Sequence, residues 1–281
     1  NGDPLPDRPL ADYLSRFRSN ALAAGQHLFG AEFSLDGNAI GKVEGDMFEL
    51  IEAAALWNAA ATWNQFQESG VWSSNTLVQP KGAVPTPARK IAIVKLPRGY
   101  DATRLFVDPV RNKIKAHEHA LLEQDMELGH SSPDIVGLRL PTDLTIAQRE
   151  FLNPVNGFAN DGLDLLETAY SRLEGAIEGN GFLFAIAVKR STRSDRLYQP
   201  LFEANVLKYL VAFVGGGAAL RFHVHMESFE GADVVRHYRA ASLVSLVRGG
   251  EISRAVDKLV KVVGPKMIAQ LILDELPRFP I

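Results

Sequence analysis

The chain contains 281 residues, 46% of them hydrophobic, which is enough apolar material to bury a substantial core. Its formal net charge of −3, from 30 basic and 33 acidic residues, excludes a surface coated with positive charge but leaves room for a local basic cleft. Because the chain has no cysteine, disulfides and thiolate metal sites are excluded, and a reducing cytoplasm is the expected compartment.

From the sequence we expect neither a membrane span nor a signal peptide. No apolar run reaches the roughly 18 residues that a membrane span requires. Residues 1–10 lack the basic and apolar regions of a signal peptide, and since they contain no Met we expect a trimmed N terminus. These features predict a soluble, intracellular, globular protein.

Hydrophobic periodicity predicts helices that alternate with short strands. The predicted helices cover residues 10–28, 46–66, 111–128, 163–177, 195–213, 232–247 and 252–276, the last kinked or divided at Gly264-Pro265. The predicted strands cover residues 90–96, 134–140, 182–188 and 220–226. Asp36-Gly37-Asn38 is predicted to form a turn, and residues 79–89, with three prolines, a loop. This order predicts an α/β fold, with a central sheet flanked by helices and a single domain over 1–281.

A cluster of cations is predicted where the strand at 182–188 gives way to the next helix. Its members are Lys189, Arg190, Arg193 and Arg196. Asp195 is the only acid among them before Glu203. Because a helix N-terminus adds positive potential to such a turn, the pattern favours binding of a polyanion.

The same region offers the groups that hydrolysis of a phosphodiester needs. Asp134 opens one predicted strand and Lys189 ends a neighbouring one. The reaction requires carboxylates that hold a divalent cation and a positive group near the attacking water. Most such nucleases place a second acid two residues before the lysine, but here that position is Ala187. Glu203, two turns into the following helix, could supply the missing acid, and Glu49 could reach the same place.

Each of these residues also has a simpler interpretation when it is considered alone. Pro-Asp is a common turn dipeptide, so Asp134 could belong to an ordinary turn. Glu203 and Glu49 could be solvated helix residues, and Lys189 a surface lysine.

The tetrad Arg193-Ser194-Asp195-Arg196 adds a possible means of reading bases. Guanine offers two acceptors to one arginine, and cytosine offers its amino group to a carboxylate. Two arginines that bracket an aspartate could therefore read two adjacent G·C pairs, and a symmetric dimer would read CCGG. Alternatively, Ser194 or Asp195 caps the helix and the arginines bind phosphates.

Together these residues carry a resemblance to a known family. Pro133-Asp134, Lys189, the tetrad at 193–196 and Glu203, at these separations, resemble the CCGG-cutting type II restriction endonucleases. That group belongs to the PD-(D/E)XK nuclease superfamily and is distinguished by its displaced acid. Residues 45–55 are similar to the family's early helix with its extra glutamate, here Glu49. The resemblance covers about residues 45–240.

The resemblance implies a restriction-endonuclease-like mixed sheet, with an N-terminal helical part of about residues 1–75 packed on the catalytic core. It implies Mg²⁺ as cofactor, double-stranded DNA as substrate, cleavage before the first cytosine to leave a 5′ overhang, and a homodimer or homotetramer.

Roles for individual residues follow from the same resemblance. Asp134 would be the central metal ligand and Glu203 the displaced acid that completes the metal site. Lys189 would orient or deprotonate the attacking water and stabilise the phosphorane, and Glu49 would assist metal binding. The residues expected to contact DNA are Arg190, Arg193, Ser194, Asp195 and Arg196.

Two other functions remain open from the sequence. One is a nuclease of the same superfamily that acts in repair or on structured DNA, and the other is a DNA-binding module without enzymatic activity. His223 and His225 alternate on a predicted strand, and we expect a solvent-facing stripe rather than a metal site.

Overall fold

A five-stranded sheet lies at the centre of the protein in the computed structural model. Its strands lie side by side in chain order: β1 (Ile91–Lys95), β2 (Ile135–Arg139), β3 (Phe182–Lys189), β4 (Arg221–Met226) and β5 (Lys258–Lys261). The structure describes residues 7–129, 131–157, 159–190, 198–216, 220–230, 233–248 and 252–279.

The sheet combines both strand orientations. β1 and β2 pair antiparallel, as do β2 and β3, whereas β3 pairs parallel with β4 and β4 with β5. β3 is buried over almost its whole length, as its apolar run predicts. The predicted α/β fold with a mixed central sheet is therefore confirmed.

Helices pack around this sheet. Those of the described ranges are α1 (Leu10–Phe29), α2 (Gly37–Ser69), α3 (Asp108–Leu122), α4 (Asn160–Thr168), α5 (Gln199–Lys208), α6 (Val234–His237), α7 (Leu243–Arg248) and α8 (Pro265–Glu275). The chain continues from α4 as a 3₁₀-helix over Ala169–Leu173 and from α5 as a π-helix over Tyr209–Val214. In the described part of the chain, none of the helices combines the length and apolar character that crossing a membrane requires.

The long helix α2 begins earlier than the sequence predicts. The side chain of Asp36 accepts hydrogen bonds from the amides of Asn38 at 3.1 Å and Ala39 at 2.8 Å. Asp36 is therefore an N-cap rather than part of a turn, because it satisfies amides that the first turn of a helix leaves without partners. The helix ends before Gly70, whose φ of +72° is the left-handed conformation that glycine adopts most easily.

The last fifty residues differ most from the prediction. The predicted helix at 232–247 is wrong, because α6 and α7 are separate and Ala241 between them forms a β-bridge to Arg254. The predicted helix at 252–276 is correct only after Gly264. Before it, β5 pairs with β4, since the open edge of the sheet supplies hydrogen-bond partners that favour an extended chain.

Buried asparagines fasten α2 to the sheet and the neighbouring loops. The side-chain amide of Asn64 donates to the carbonyls of Ile91 at 2.7 Å and Phe151 at 3.1 Å, and its oxygen accepts from the Ile91 amide at 2.8 Å. Asn58 forms a similar pair of bonds with Val155. Because Asn64 is fully buried, the position of α2 against β1 depends on these bonds.

We predict that Asn64→Ala lowers the free energy of unfolding by about 2–4 kcal/mol, because it leaves buried backbone groups of Ile91 and Phe151 without partners. Urea unfolding measures the change. The matched control is Gln65→Ala, an exposed neighbour on the same helix, which should change stability by less than about 0.5 kcal/mol. Equal effects of the two substitutions would contradict the prediction.

Candidate active site

The register of β2 on β3 brings Asp134 and Lys189 together. Asp134 directly precedes β2, and its amide donates to the carbonyl of Ile186 at 3.1 Å. Its carboxylate Oδ2 accepts from the amide of Val188 at 2.6 Å and from Nζ of Lys189 at 3.1 Å. A buried strand, a backbone amide and an ammonium group therefore fix the orientation of this carboxylate.

Glu203 lies on α5, and its carboxylate interacts electrostatically with both Asp134 and Lys189. Its side chain is buried, and Oε1 accepts from Nε2 of Gln199 at 2.8 Å. Burial raises the pKa of Glu203; the charge of Lys189 opposes this shift and the charge of Asp134 reinforces it. The displaced acid predicted from the sequence is thus within electrostatic reach of Asp134 and Lys189, although the described residues contain no direct ion pair between Glu203 and Lys189.

Glu49 reaches the same region from α2. Burial, followed by repulsion from Asp134, raises the pKa of Glu49 to about 7, although Lys95 acts in the opposite direction. Nζ of Lys95 lies 3.9 Å from Oε2 of Glu49 and 3.3 Å from Oε2 of Glu167. Glu49, Glu203 and Asp134 therefore form a group of interacting carboxylates.

Lys189 carries the opposing positive charge. Burial alone would lower the pKa of Lys189, but the carboxylates of Asp134, Glu203 and Glu49 outweigh burial and raise that pKa. At neutral pH the side chain is therefore an ammonium group that can donate hydrogen bonds. It is not a ready proton acceptor.

The donor set fits a hard divalent cation. Asp134 and Glu203 present carboxylate oxygens, which Mg²⁺ prefers and complements with water and phosphate oxygens. Lys189 is bonded directly only to Asp134 among the three carboxylates, and repulsion from Asp134 adds to burial in raising the pKa of Glu49. Within the described ranges, no three His, Asp or Glu side chains form a preassembled cluster, so water or substrate would have to supply further ligands.

The predicted DNA-contacting residues divide into two groups. Arg193, Ser194, Asp195 and Arg196 lie outside the described residues. Arg190 is described, and its guanidinium donates to Oε2 of Glu44 at 2.6 Å and to Oε2 of Glu227 at 2.8 Å.

Sequence reasoning missed Lys95, Glu167 and Glu44. Lys95 ends an apolar strand, just as Lys189 does. This shared pattern could have identified Lys95 from the sequence. Since β1 is antiparallel to β2, Lys95 pairs with Ile135 and so lies beside Asp134. Glu167 and Glu44 are ordinary helical glutamates in the sequence, and only their packing brings them to the site.

His223 and His225 do not face solvent, contrary to the prediction. Both are buried against helices, with Nε2 of His223 at 3.3 Å from Glu275 and Nδ1 of His225 at 3.1 Å from Glu52. The two histidines do lie on the same face of β4, as their spacing predicts. That face is covered by α2 and α8, and each helix supplies a carboxylate to one of the rings.

Comparison with known proteins identifies a family. The family model described as Cfr10I/Bse634I restriction endonuclease matches residues 8–276. A search of curated proteins gave no match.

Solved structures show the same fold. The structure described as Type IIF restriction endonuclease Bse634I with cognate DNA matches with a TM-score of 0.76 and 20% sequence identity, over 96% of this chain and 87% of that one. A second structure, described as Bse634I restriction endonuclease, matches with a TM-score of 0.76 and 19% identity, over 95% and 86% of the two chains.

We predict that Glu49 makes stability depend on pH. Its pKa of about 7 in the folded state lies above its ordinary value of 4.5, so the folded protein holds an extra proton between these values. The stabilisation from that proton is complete below pH 4.5 and is lost as the pH rises through about 7. In EDTA, the free energy of unfolding of the wild type, relative to Glu49→Gln, should fall by on the order of 3 kcal/mol across this range.

Urea unfolding at a series of pH values measures this difference. Glu68→Gln, at an exposed position of the same helix, controls for the loss of one carboxylate from α2. Parallel pH profiles for the wild type and Glu49→Gln would contradict the prediction.

Proposed function

The chain belongs to the Cfr10I/Bse634I restriction endonuclease family, and from that membership we propose that it cuts double-stranded DNA at a CCGG-containing palindrome. The reaction would be Mg²⁺-dependent hydrolysis of one phosphodiester in each strand, with 5′ overhangs as product. Lys189 carries this proposal, because it interacts with both Asp134 and Glu203 although the three residues come from distant parts of the chain.

In this mechanism Asp134 and Glu203 hold the cation. Mg²⁺, when bound, supplies the Lewis-acid charge that neutralises the scissile phosphate and activates water. Asp134 would present its carboxylate in a fixed orientation, because the Val188 amide and Lys189 already hold Oδ2. Glu203, kept in place by Gln199, would add the second carboxylate. Glu49 would assist, and its pKa of about 7 allows it to hold or release a proton near neutral pH.

Lys189 would stabilise the reacting phosphate. Its raised pKa favours the ammonium form, which donates hydrogen bonds to the attacking water and neutralises the charge that develops on the pentacovalent phosphorane. Attack would be direct and in line, without a covalent enzyme intermediate. Of the two roles that the sequence leaves open for Lys189, orientation of the water is the better supported, because an ammonium group cannot accept the proton.

Specificity would come from the tetrad at 193–196. Arg193 and Arg196 would each bond one guanine, and Asp195 would accept from the paired cytosines, with Ser194 contacting the DNA backbone. One copy of the chain reads only half of a palindrome, so we propose a homodimer or homotetramer. The whole chain would act as one endonuclease domain in the cytoplasm of a prokaryotic cell.

The function is tested by digesting a sequenced plasmid with the full-length protein and Mg²⁺ and then sequencing the fragment ends. We expect discrete fragments whose 5′ overhangs begin at CCGG, and no cutting in EDTA. Two oligonucleotide duplexes that differ by one base pair within CCGG provide the matched control. Fragments with unrelated ends would instead indicate a nuclease that acts in repair or on structured DNA, and binding without cutting would indicate a DNA-binding module.

We predict that Asp134→Ala lowers the cleavage rate by about 1000-fold or more, because it removes the carboxylate on which the cation and Lys189 both depend. Binding of a CCGG duplex should persist, since the tetrad is unchanged. Single-turnover cleavage and a gel-shift titration measure the two quantities. Asp143→Ala, at an exposed position, is the control that should leave both unchanged. Full cutting by Asp134→Ala would remove Asp134 from the active site.

A further inference from the structure

Four alternating charges form a continuous network beside the candidate active site. Arg190, the residue after Lys189, donates from Nε to Oε2 of Glu227 at 2.8 Å and from Nη1 to Oε2 of Glu44 at 2.6 Å. Oε1 of Glu44 accepts from Nε of Arg18 at 3.0 Å and from Nη2 at 2.7 Å. We name Arg18, Glu44, Arg190 and Glu227 the charge clamp.

Glu44 is the buried centre of the charge clamp. Its side chain is only 2% exposed, whereas that of Arg18 is 57% exposed. A buried carboxylate is costly unless charged donors satisfy it, and here two arginines do so. The network therefore runs from the surface of α1 through α2 to the end of β3.

The backbone around Arg190 is fastened as well. The amide of Glu227 donates to the carbonyl of Lys189 at 3.2 Å, and the amide of Ser228 donates to the carbonyl of Arg190 at 3.3 Å. These bonds continue the pairing of β3 with β4 beyond the last strand residues. Hydrogen bonds of both its side chain and its main chain thus hold Arg190, the residue immediately after Lys189.

We propose that Glu44 and Arg190 are positioning residues for Lys189. By fixing the residue after Lys189, the charge clamp holds the end of β3 so that the ammonium group stays on Asp134. Arg190 then acts through its two carboxylates and not through a DNA phosphate, which differs from the DNA-contacting role that the sequence predicts. The catalytic part of this inference rests on the proposed function.

The chemistry of lysine and arginine explains why Lys189 would need an anchored neighbour such as Arg190. Lysine has four rotatable bonds and, in this site, one described hydrogen bond, so its reach depends on where the backbone lies. A misplacement of about 1 Å in an active site can lower a rate by about 100-fold. Arginine suits the anchoring position, because its planar guanidinium can bond two carboxylates at once.

The kinetic test compares four full-length variants: Glu44→Gln, Arg190→Gln, the double variant and Arg16→Gln. We expect kcat on a CCGG duplex to fall by about 10- to 100-fold in the first two, with KM within about threefold of wild type. The double variant should be no slower than the slower single variant, because both changes break one network. Arg16→Gln is the matched control: it removes a positive charge at an exposed position of α1 outside the charge clamp, and kcat should stay within about threefold.

The salt dependence of DNA binding distinguishes positioning from phosphate contact. We expect wild type and Arg190→Gln to give the same slope of log Kd against log salt concentration in the absence of divalent metal. If Arg190 bonded a phosphate, its loss would reduce the slope by about 0.9. A reduced slope, additive losses in the double variant, or an unchanged kcat for Arg190→Gln would each overturn the proposal.

Amide hydrogen exchange tests the positioning independently of activity. In Glu44→Gln and Arg190→Gln, the amides of Val188, Glu227 and Ser228 should exchange at least about tenfold faster than in wild type, and in Arg16→Gln they should not. Unchanged exchange rates would overturn the proposal whether or not the wild type cuts DNA. This measurement therefore separates a failure of the positioning proposal from a failure of the proposed function. If Glu44→Gln does not fold, Glu227→Gln, whose side chain is 27% exposed, replaces it in both measurements with the same expectations.

Discussion

The site depends on one constraint, the antiparallel register between the start of β2 and the end of β3. This register places the carboxylate of Asp134 opposite the amide of Val188 and within 3.1 Å of Nζ of Lys189. A slip of one residue would turn Asp134 to the other face and break both bonds. The polar pair itself favours this register, because another alignment of these buried strands would separate Asp134 from both of its donors. Glu203 and Glu49 are then brought to the site by helices packed on this sheet.

The helix α2 is the second organising element, because its buried glutamates reach different parts of the sheet. Glu44 bonds the arginine after β3, Glu49 lies beside Lys95 of β1, and Glu52 pairs with His225 of β4. A buried carboxylate without a partner would strongly destabilise the fold, so each one constrains where the helix can lie. Polar bonds from Asn64 to β1 add a further constraint. The helix thereby connects the packing of the core to the geometry of the candidate active site.

The candidate site could be predicted only where a residue type was unusual for its position. A lysine at the end of an apolar strand, an aspartate at the start of another and the spacing to Glu203 were sufficient to nominate three residues that the fold gathers. Lys95 satisfied the same criterion and was overlooked. Glu44 and Glu167 could not have been nominated, because a glutamate within a helix is common and the sequence does not reveal which helical face meets which strand end. For Arg190 the sequence indicated a cation near DNA, whereas the contacts with Glu44 and Glu227 favour an internal role.

The sequence by itself determined the strands β1 to β4 to within one residue at each end, since short apolar runs bounded by polar residues and turn formers are local signals. It also determined most of α1, and it predicted the acids and the lysine that the family resemblance implies. Only the tertiary structure decided that residues 258–261 form a strand and that His223 and His225 are buried, because both outcomes depend on what packs against the segment. The partners of the buried charges were decided in the same way. Ion pairing acts between residues distant in the chain, and periodicity along the chain carries no information about that distance.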